Sequence, residues 1–212
     1  MNEETIIGYH TTKIKNVESI LKYRFIESKA NKGHWLGKGI YLFENIYYAV
    51  EWGILGVVKH DVYDYDEIQK SCGILMVELD TENYKVIDFS EPQGYLIFEH
   101  LLQIIQHYYS EEKYNEILNK GYAYIIKVIE DLERQNNEQY ISRYDVICAV
   151  YPKYITKTKT KTKLPGDFIT CIQKQICIKN QKAIKNIIEL EHNNVTKEVF
   201  NLIIYNRGDK ND

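Results

Sequence analysis

A long helical stretch opened by Pro92, with strand-like runs on both sides of it, most constrains the fold of this chain. Leu96, Leu101, Ile104 and Ile105 begin an apolar stripe at helical spacing. Tyr114, Ile117 and Leu118 continue it, and Ile125, Ile126, Ile129 and Leu132 complete it. The stripe predicts two or three helices ending at about Arg134, a helical block over about 92–135. Short runs rich in Val, Ile and Tyr, the residue types that suit a pleated surface, lie before and after it. Strands at both ends with helices gathered between them is an α+β arrangement, without the regular βαβα alternation of a dinucleotide-binding fold.

The other elements follow from the same periodicities. Residues 4–10 read as a strand, and Ile14, Val17, Ile20 and Leu21 place a helix over 13–22. Phe25-Ile26 reads as a short strand, 28–38 as a polar loop, Ile40–Phe43 as a strand and 45–58 as a helix. Cys72–Leu79 and Tyr84–Phe89 are strand-like runs joined by Asp80-Thr81-Glu82-Asn83, a turn composition. Beyond the block, Tyr144–Tyr151, Phe168–Lys179 and Ile184–Ile188 read as strands, and Val199–Tyr205 as one more. A length of 212 residues fits a single domain, 1–212, carrying the helical block as an insertion.

Composition narrows the class. A net charge of −3 argues against a generic polyanion binder or a membrane-surface binder. No apolar run approaches the ~18 residues that would span a bilayer, and the polar, acidic Met1-Asn2-Glu3-Glu4 does not read as a signal peptide. Cys72, Cys148, Cys171 and Cys177 have no C-x-x-C spacing. They read as reduced core thiols of a cytoplasmic protein rather than a disulfide framework or a zinc site.

Three short motifs carry chemistry. Thr5-Ile6-Ile7-Gly8-Tyr9-His10-Thr11 ends a strand on a histidine. Gly37-Lys38-Gly39-Ile40-Tyr41 follows, a tight turn into a strand, and Trp52 lies eleven residues after Tyr41. Near the end of the chain, Gln173-Lys174-Gln175-Ile176-Cys177-Ile178 alternates, so that Gln173, Gln175 and Cys177 share one face. Each has an ordinary structural reading: a histidine closing a strand, glycines supplying positive φ, a core tryptophan, a solvent-facing glutamine.

Together these motifs resemble ADP-ribosyltransferases of the poly(ADP-ribose) polymerase-like type, over roughly residues 5–55 and 144–188. The resemblance implies a split β-sheet core that holds NAD in a cleft. His10 would bond the adenosine ribose. The Thr11 backbone would pair with the nicotinamide carboxamide, next to Gly39. Tyr41 and Trp52 would sandwich the nicotinamide ring, and Gln175 would stand where the family carries its catalytic glutamate. The catalytic set so implied is Gln175, Tyr41 and His10.

The chain departs from the family at three of these places. Thr11 replaces the usual glycine, and Ala49 replaces a serine that contacts the carboxamide. The amide of Gln175 can bond a ribose hydroxyl but carries no charge and cannot act as a base. Single transfer of ADP-ribose, without chain elongation, is the resulting expectation.

Lys157, Lys159, Lys161 and Lys163 alternate with threonine in a run that the resemblance places where the acceptor arrives. An extended run would point all four ammonium groups to one side, which suits phosphates. The acceptor expected is therefore single-stranded RNA or DNA, with protein as the alternative. The setting expected is a bacterial toxin, with a possible antitoxin partner, or a phage-defence effector. A catalytically silent NAD or ADP-ribose binding module is the rival that Gln175 raises, and a plain interaction protein using the helical block is another. An RNA 2′-phosphotransferase of the same fold fits poorly, since the chain has only four arginines (Arg24, Arg134, Arg143 and Arg207).

Overall fold

The computed structural model describes residues 5–25, 35–54, 64–153, 171–190 and 194–208. Strand β1 (Ile6–Lys13) leads directly into helix α1 (Ile14–Tyr23). β2 (Ile40–Phe43), α2 (Ile46–Trp52), α3 (Tyr65–Ser71), β3 (Cys72–Leu79) and β4 (Val86–Asp88) follow. The helical block comprises α4 (Pro92–Tyr108), α5 (Glu111–Asn119) and α6 (Tyr122–Asn136). The chain then forms β5 (Val146–Lys153), β6 (Cys171–Ile178), β7 (Ile184–Leu190) and α7 (Asn194–Gly208). The class is α+β, as the sequence pattern implies.

One seven-stranded sheet runs β4-β5-β6-β2-β1-β3-β7. Every recorded pairing is antiparallel except β4 with β5, where Val86–Asp88 lie parallel to Val146–Cys148. Parallel neighbours need a long crossover, since a tight hairpin cannot return the chain in the same direction. The helical block is that crossover. Its entry is crowded: a Cβ on Gly94 would fall 1.7 Å from the Asp88 carbonyl oxygen. Only glycine lets the first turn of α4 lie this close to the end of β4.

Side chains alternate across the strands and sort the core into three clusters. On one face, α4–α6 cover Ile147, Ala149 and Cys177 with Phe98, Leu101, Ile105, Ile126 and Ile129. On the same face of the far half, α2, α3 and α7 cover Cys72 and Ile74 with Val50, Ile68, Phe200 and Ile203. On the opposite face, Val17 and Ile20 of α1 pack with Leu42, Leu75, Val77 and Ile176. Two separate groups of helices thus sit on one face, the block α4–α6 over β5 and β6, and α2, α3 and α7 over the half that holds β1 and β3, with α2 reaching across β1 and β2.

The tail corrects the sequence reading. Val199–Tyr205 lies within helix α7 instead of forming a strand. Among its described side chains, Thr196, Phe200 and Ile203 are buried, at i, i+4 and i+7, a helical stripe inside a β-branched composition. Burial of Phe200 and Ile203 is worth about 1.5–3 kcal/mol each, more than the few tenths of a kcal/mol of propensity set against it. The Tyr65 and Thr196 hydroxyls share a buried hydrogen bond that fixes α7 on α3. Phe25, read as part of a strand, is instead a buried residue following α1, and α3 had no sequence counterpart.

Candidate functional site

The line between β1 and β2 is the weakest seam of the sheet. β1 pairs with β3 from Ile6 to Lys13, but with β2 only at Tyr9 opposite Phe43. Beyond that pair the two strands part, and a side chain bridges the gap. His10 Nδ1 lies 2.9 Å from the carbonyl oxygen of Tyr41, and the His10 ring meets Phe25 edge-on. A carbonyl oxygen only accepts, so Nδ1 must carry the proton. Burial holds the His10 pKa below the ordinary 6.5, although the bond to Tyr41 opposes that shift. The ring is therefore neutral near pH 7, with Nε2 as an acceptor.

This arrangement has a pH signature. The unfolded chain protonates His10 near 6.5 while the folded chain resists doing so. Stability is therefore intact above 6.5 and falls as the pH drops below it toward the lower folded-state pKa. His10→Asn keeps an N–H donor near the Nδ1 position and removes the titration. Urea midpoints measured on both sides of pH 6.5 should show a shallower acid loss in His10→Asn than in the parent. An equal loss in both would assign the titration to other groups.

The register places the other candidates. Tyr9 faces Phe43, Phe43 faces Gln175, Tyr41 faces Cys177, and Gln175 faces Ala149. Thr11, Tyr41, Phe43 and Gln175 consequently share the face that carries the two helix groups. His10 projects from the other face, beside Phe25, and touches this group through the Tyr41 carbonyl. Gln173, Gln175 and Cys177 do lie on one face.

Tyr41 is held by its own loop. Its hydroxyl accepts from the Leu36 N–H at 2.8 Å and donates to the Gly37 carbonyl at 2.7 Å. Burial pushes its pKa far above the ordinary phenol value. The residue offers a rigid ring rather than a proton. The two glycines of the turn serve different ends. Gly37 has φ +80, a conformation costly for other residues, and a Cβ there would also strike the ion pair between Glu130 and Lys179. Gly39 is needed for closeness: a Cβ would lie 2.5 Å from Cys177 Sγ and 2.7 Å from the Ile178 carbonyl oxygen. Its recorded role is packing of the turn on β6, next to Tyr41.

Trp52 is not a core tryptophan. It is 52% exposed at the end of α2, tilted against Phe43 with ring centroids 6.4 Å apart. Ala49, on the preceding turn, is fully buried, and its carbonyl accepts from the Thr11 hydroxyl at 2.5 Å. That bond fixes α2, and so Trp52, against β1.

Trp35, two residues before the turn, was missed in the sequence. It is buried, and its indole Nε1–H donates to Gln175 Oε1 at 2.5 Å. Its ring meets Tyr122 of α6 edge-on, which ties Gln175 to the helical block. The only sequence signal was a large aromatic directly before a glycine turn. On the opposite face, Lys174 bridges Glu44 and Asp88 at 3.0 and 2.8 Å. Burial disfavours its charge, but those two partners outweigh burial and raise its pKa. Lys157, Lys159, Lys161 and Lys163 lie outside the described residues. Cys72, Cys148 and Cys177 are buried thiols outside any disulfide. Among the described residues, no group of three or more His, Cys, Asp or Glu could hold a metal ion, and no helix is long and apolar enough to cross a membrane.

Comparison with known proteins yields a relative without an assigned role. The chain is 24% identical over 221 aligned positions to "Uncharacterized protein MJ0359" of Methanocaldococcus jannaschii. The alignment covers 96% of this chain and 94% of that protein, so it takes in the helical block together with the flanking strands. No protein-family model matches the chain, and no solved structure matches it.

Proposed function

We propose that this protein is an NAD-dependent mono-ADP-ribosyltransferase that transfers ADP-ribose to a nucleic acid. The observation that carries the reading is the seam itself. One face of it gathers Thr11, Tyr41 and Gln175, with a half-exposed Trp52 beside them, and His10 closes the gap from behind. A flat, electron-poor nicotinamide suits a rigid tyrosine ring with an accessible indole nearby. His10 Nε2 would accept from an adenosine ribose hydroxyl, and the Gln175 amide would bond the nicotinamide ribose. In the reaction, the bond between the ribose anomeric carbon and the nicotinamide nitrogen breaks, and nicotinamide leaves with the electron pair. An acceptor nitrogen or oxygen then attacks the cationic carbon and releases a proton.

The acceptor rests on the sequence alone, on the ladder Lys157 to Lys163. A single strand can present a base to the cleft without the unstacking that a duplex requires. Incubation of the purified chain with radiolabelled NAD and, separately, cellular RNA, DNA and protein tests the reading. Label on RNA or DNA supports it, label only on protein replaces the acceptor, and no transfer with retained NAD binding leaves a silent binding module. That second reading is favoured by the neutral side chain of Gln175.

Trp52→Ala should weaken NAD binding by about tenfold or more, the loss of about 1.4 kcal/mol of stacking. Because the indole is half exposed, stability should change by no more than about 1 kcal/mol. Unchanged affinity by calorimetry, with the fold intact, would remove Trp52 from the site.

A further inference from the structure

The pairing of Trp35 with Gln175 points beyond the motif that led to Gln175. We infer that Trp35 is a positioning residue that fixes the orientation of the Gln175 amide. An indole N–H can only donate, so the Gln175 atom it meets must be the oxygen. The amide NH2 is therefore turned away from the indole. The terminal torsion of a free glutamine is broad and roughly two-fold, so its oxygen and nitrogen exchange places at little cost. Trp35 removes that freedom. It is itself held, being buried among Leu36, Phe98 and Ile129 and set edge-on to Tyr122. The helical block thus sets the polarity of residue 175 through one side chain: carbonyl toward Trp35, donor hydrogens toward whatever the site binds.

One consequence concerns the replacement of Gln175 by glutamate. A carboxylate also accepts from the indole, so Gln175→Glu keeps the bond to Trp35. On its other side it offers an acceptor in place of the NH2 donors. Gln175→Leu removes the bond altogether.

The inference uses the proposed transferase reading only for its kinetic arm, and the experiment separates the two. The Trp35 indole N–H resonance is followed by NMR, assigned with Trp35→Phe, in the parent, Gln175→Leu and Gln175→Glu chains. The expected result is a clear upfield shift in Gln175→Leu and a hydrogen-bonded position retained in Gln175→Glu. A resonance that stays in place in Gln175→Leu overturns the inference, whatever the protein does with NAD. In the kinetic arm, Trp35→Phe should lower the transfer rate by between about tenfold and about a hundredfold, with KM for NAD within about twofold. In a parent that transfers ADP-ribose, an unchanged rate in Trp35→Phe also overturns the inference. Should the resonance shift as expected while the parent neither binds nor uses NAD, the transferase reading fails and the positioning role stands.

Discussion

Replacing Glu133 with alanine is expected to destabilise the fold by about 3 kcal/mol. Glu133 sits near the end of α6 and is only 6% exposed. One carboxylate oxygen accepts from the backbone N–H groups of Tyr140, Ile141 and Ser142. These three donors form the turn that carries the chain from the helical block back to β5. Without the carboxylate all three lose their acceptor, and the N–H of the buried Ile141 is left unpaired away from water, at about 1–3 kcal/mol for a fully buried group. Glu133→Gln retains one oxygen acceptor and should lose far less. Urea unfolding followed by circular dichroism measures both. If the alanine variant unfolds within about 0.5 kcal/mol of the parent, the turn is held by something else.

The second large effect is on chemistry. Gln175→Ala should abolish ADP-ribose transfer while leaving NAD affinity within about twofold, because the nicotinamide affinity is assigned to Tyr41 and Trp52. Gln175→Glu should add NAD hydrolysis, since a carboxylate stabilises the developing ribose cation that an amide cannot. Full transfer activity in the alanine variant would move the chemistry to another residue. The parent is tested beside it, so a protein that never transfers is told apart from a misassigned residue.

The sequence made the strands and the helical block legible because their patterns are unmixed. β3 is a short, almost wholly apolar run buried on both faces, and α4–α6 keep an apolar stripe through three helices. Boundaries shifted where one element runs straight into the next: β1 extends to Lys13 and hands over to α1 without a loop. Val199–Tyr205 misled because β-branched and aromatic residues dominate it, whereas α2 and α3 select its helical stripe only in three dimensions. The site was legible in part. Tyr41 and Gln175 sit on neighbouring strands in a register that period-two counting allows but cannot establish. Trp35 was not legible, because its role depends on a contact across 140 positions of chain. Nor could any local pattern show that His10 emerges on the face opposite Tyr41, since that depends on which strand lies beside it.

The seam between β1 and β2 also bears on how this chain acquires its structure. On one side stand β4, β5, β6 and β2, on the other β1, β3 and β7. In chain order the path crosses the seam four times: between β1 and β2, β2 and β3, β3 and β4, and β6 and β7. Neither half is a contiguous segment, so the strands of each are made in alternation with those of the other. β6 lies between β5 and β2, yet its residues, Cys171–Ile178, follow those of both neighbours in the chain. During synthesis the first half-sheet therefore waits with a central strand missing and two apolar edges open. Such late, long-range closure raises contact order and slows folding. It also exposes strand edges to neighbouring chains in the meantime. The helical block, rich in local contacts, can form early in that interval and cover one face of the unfinished sheet.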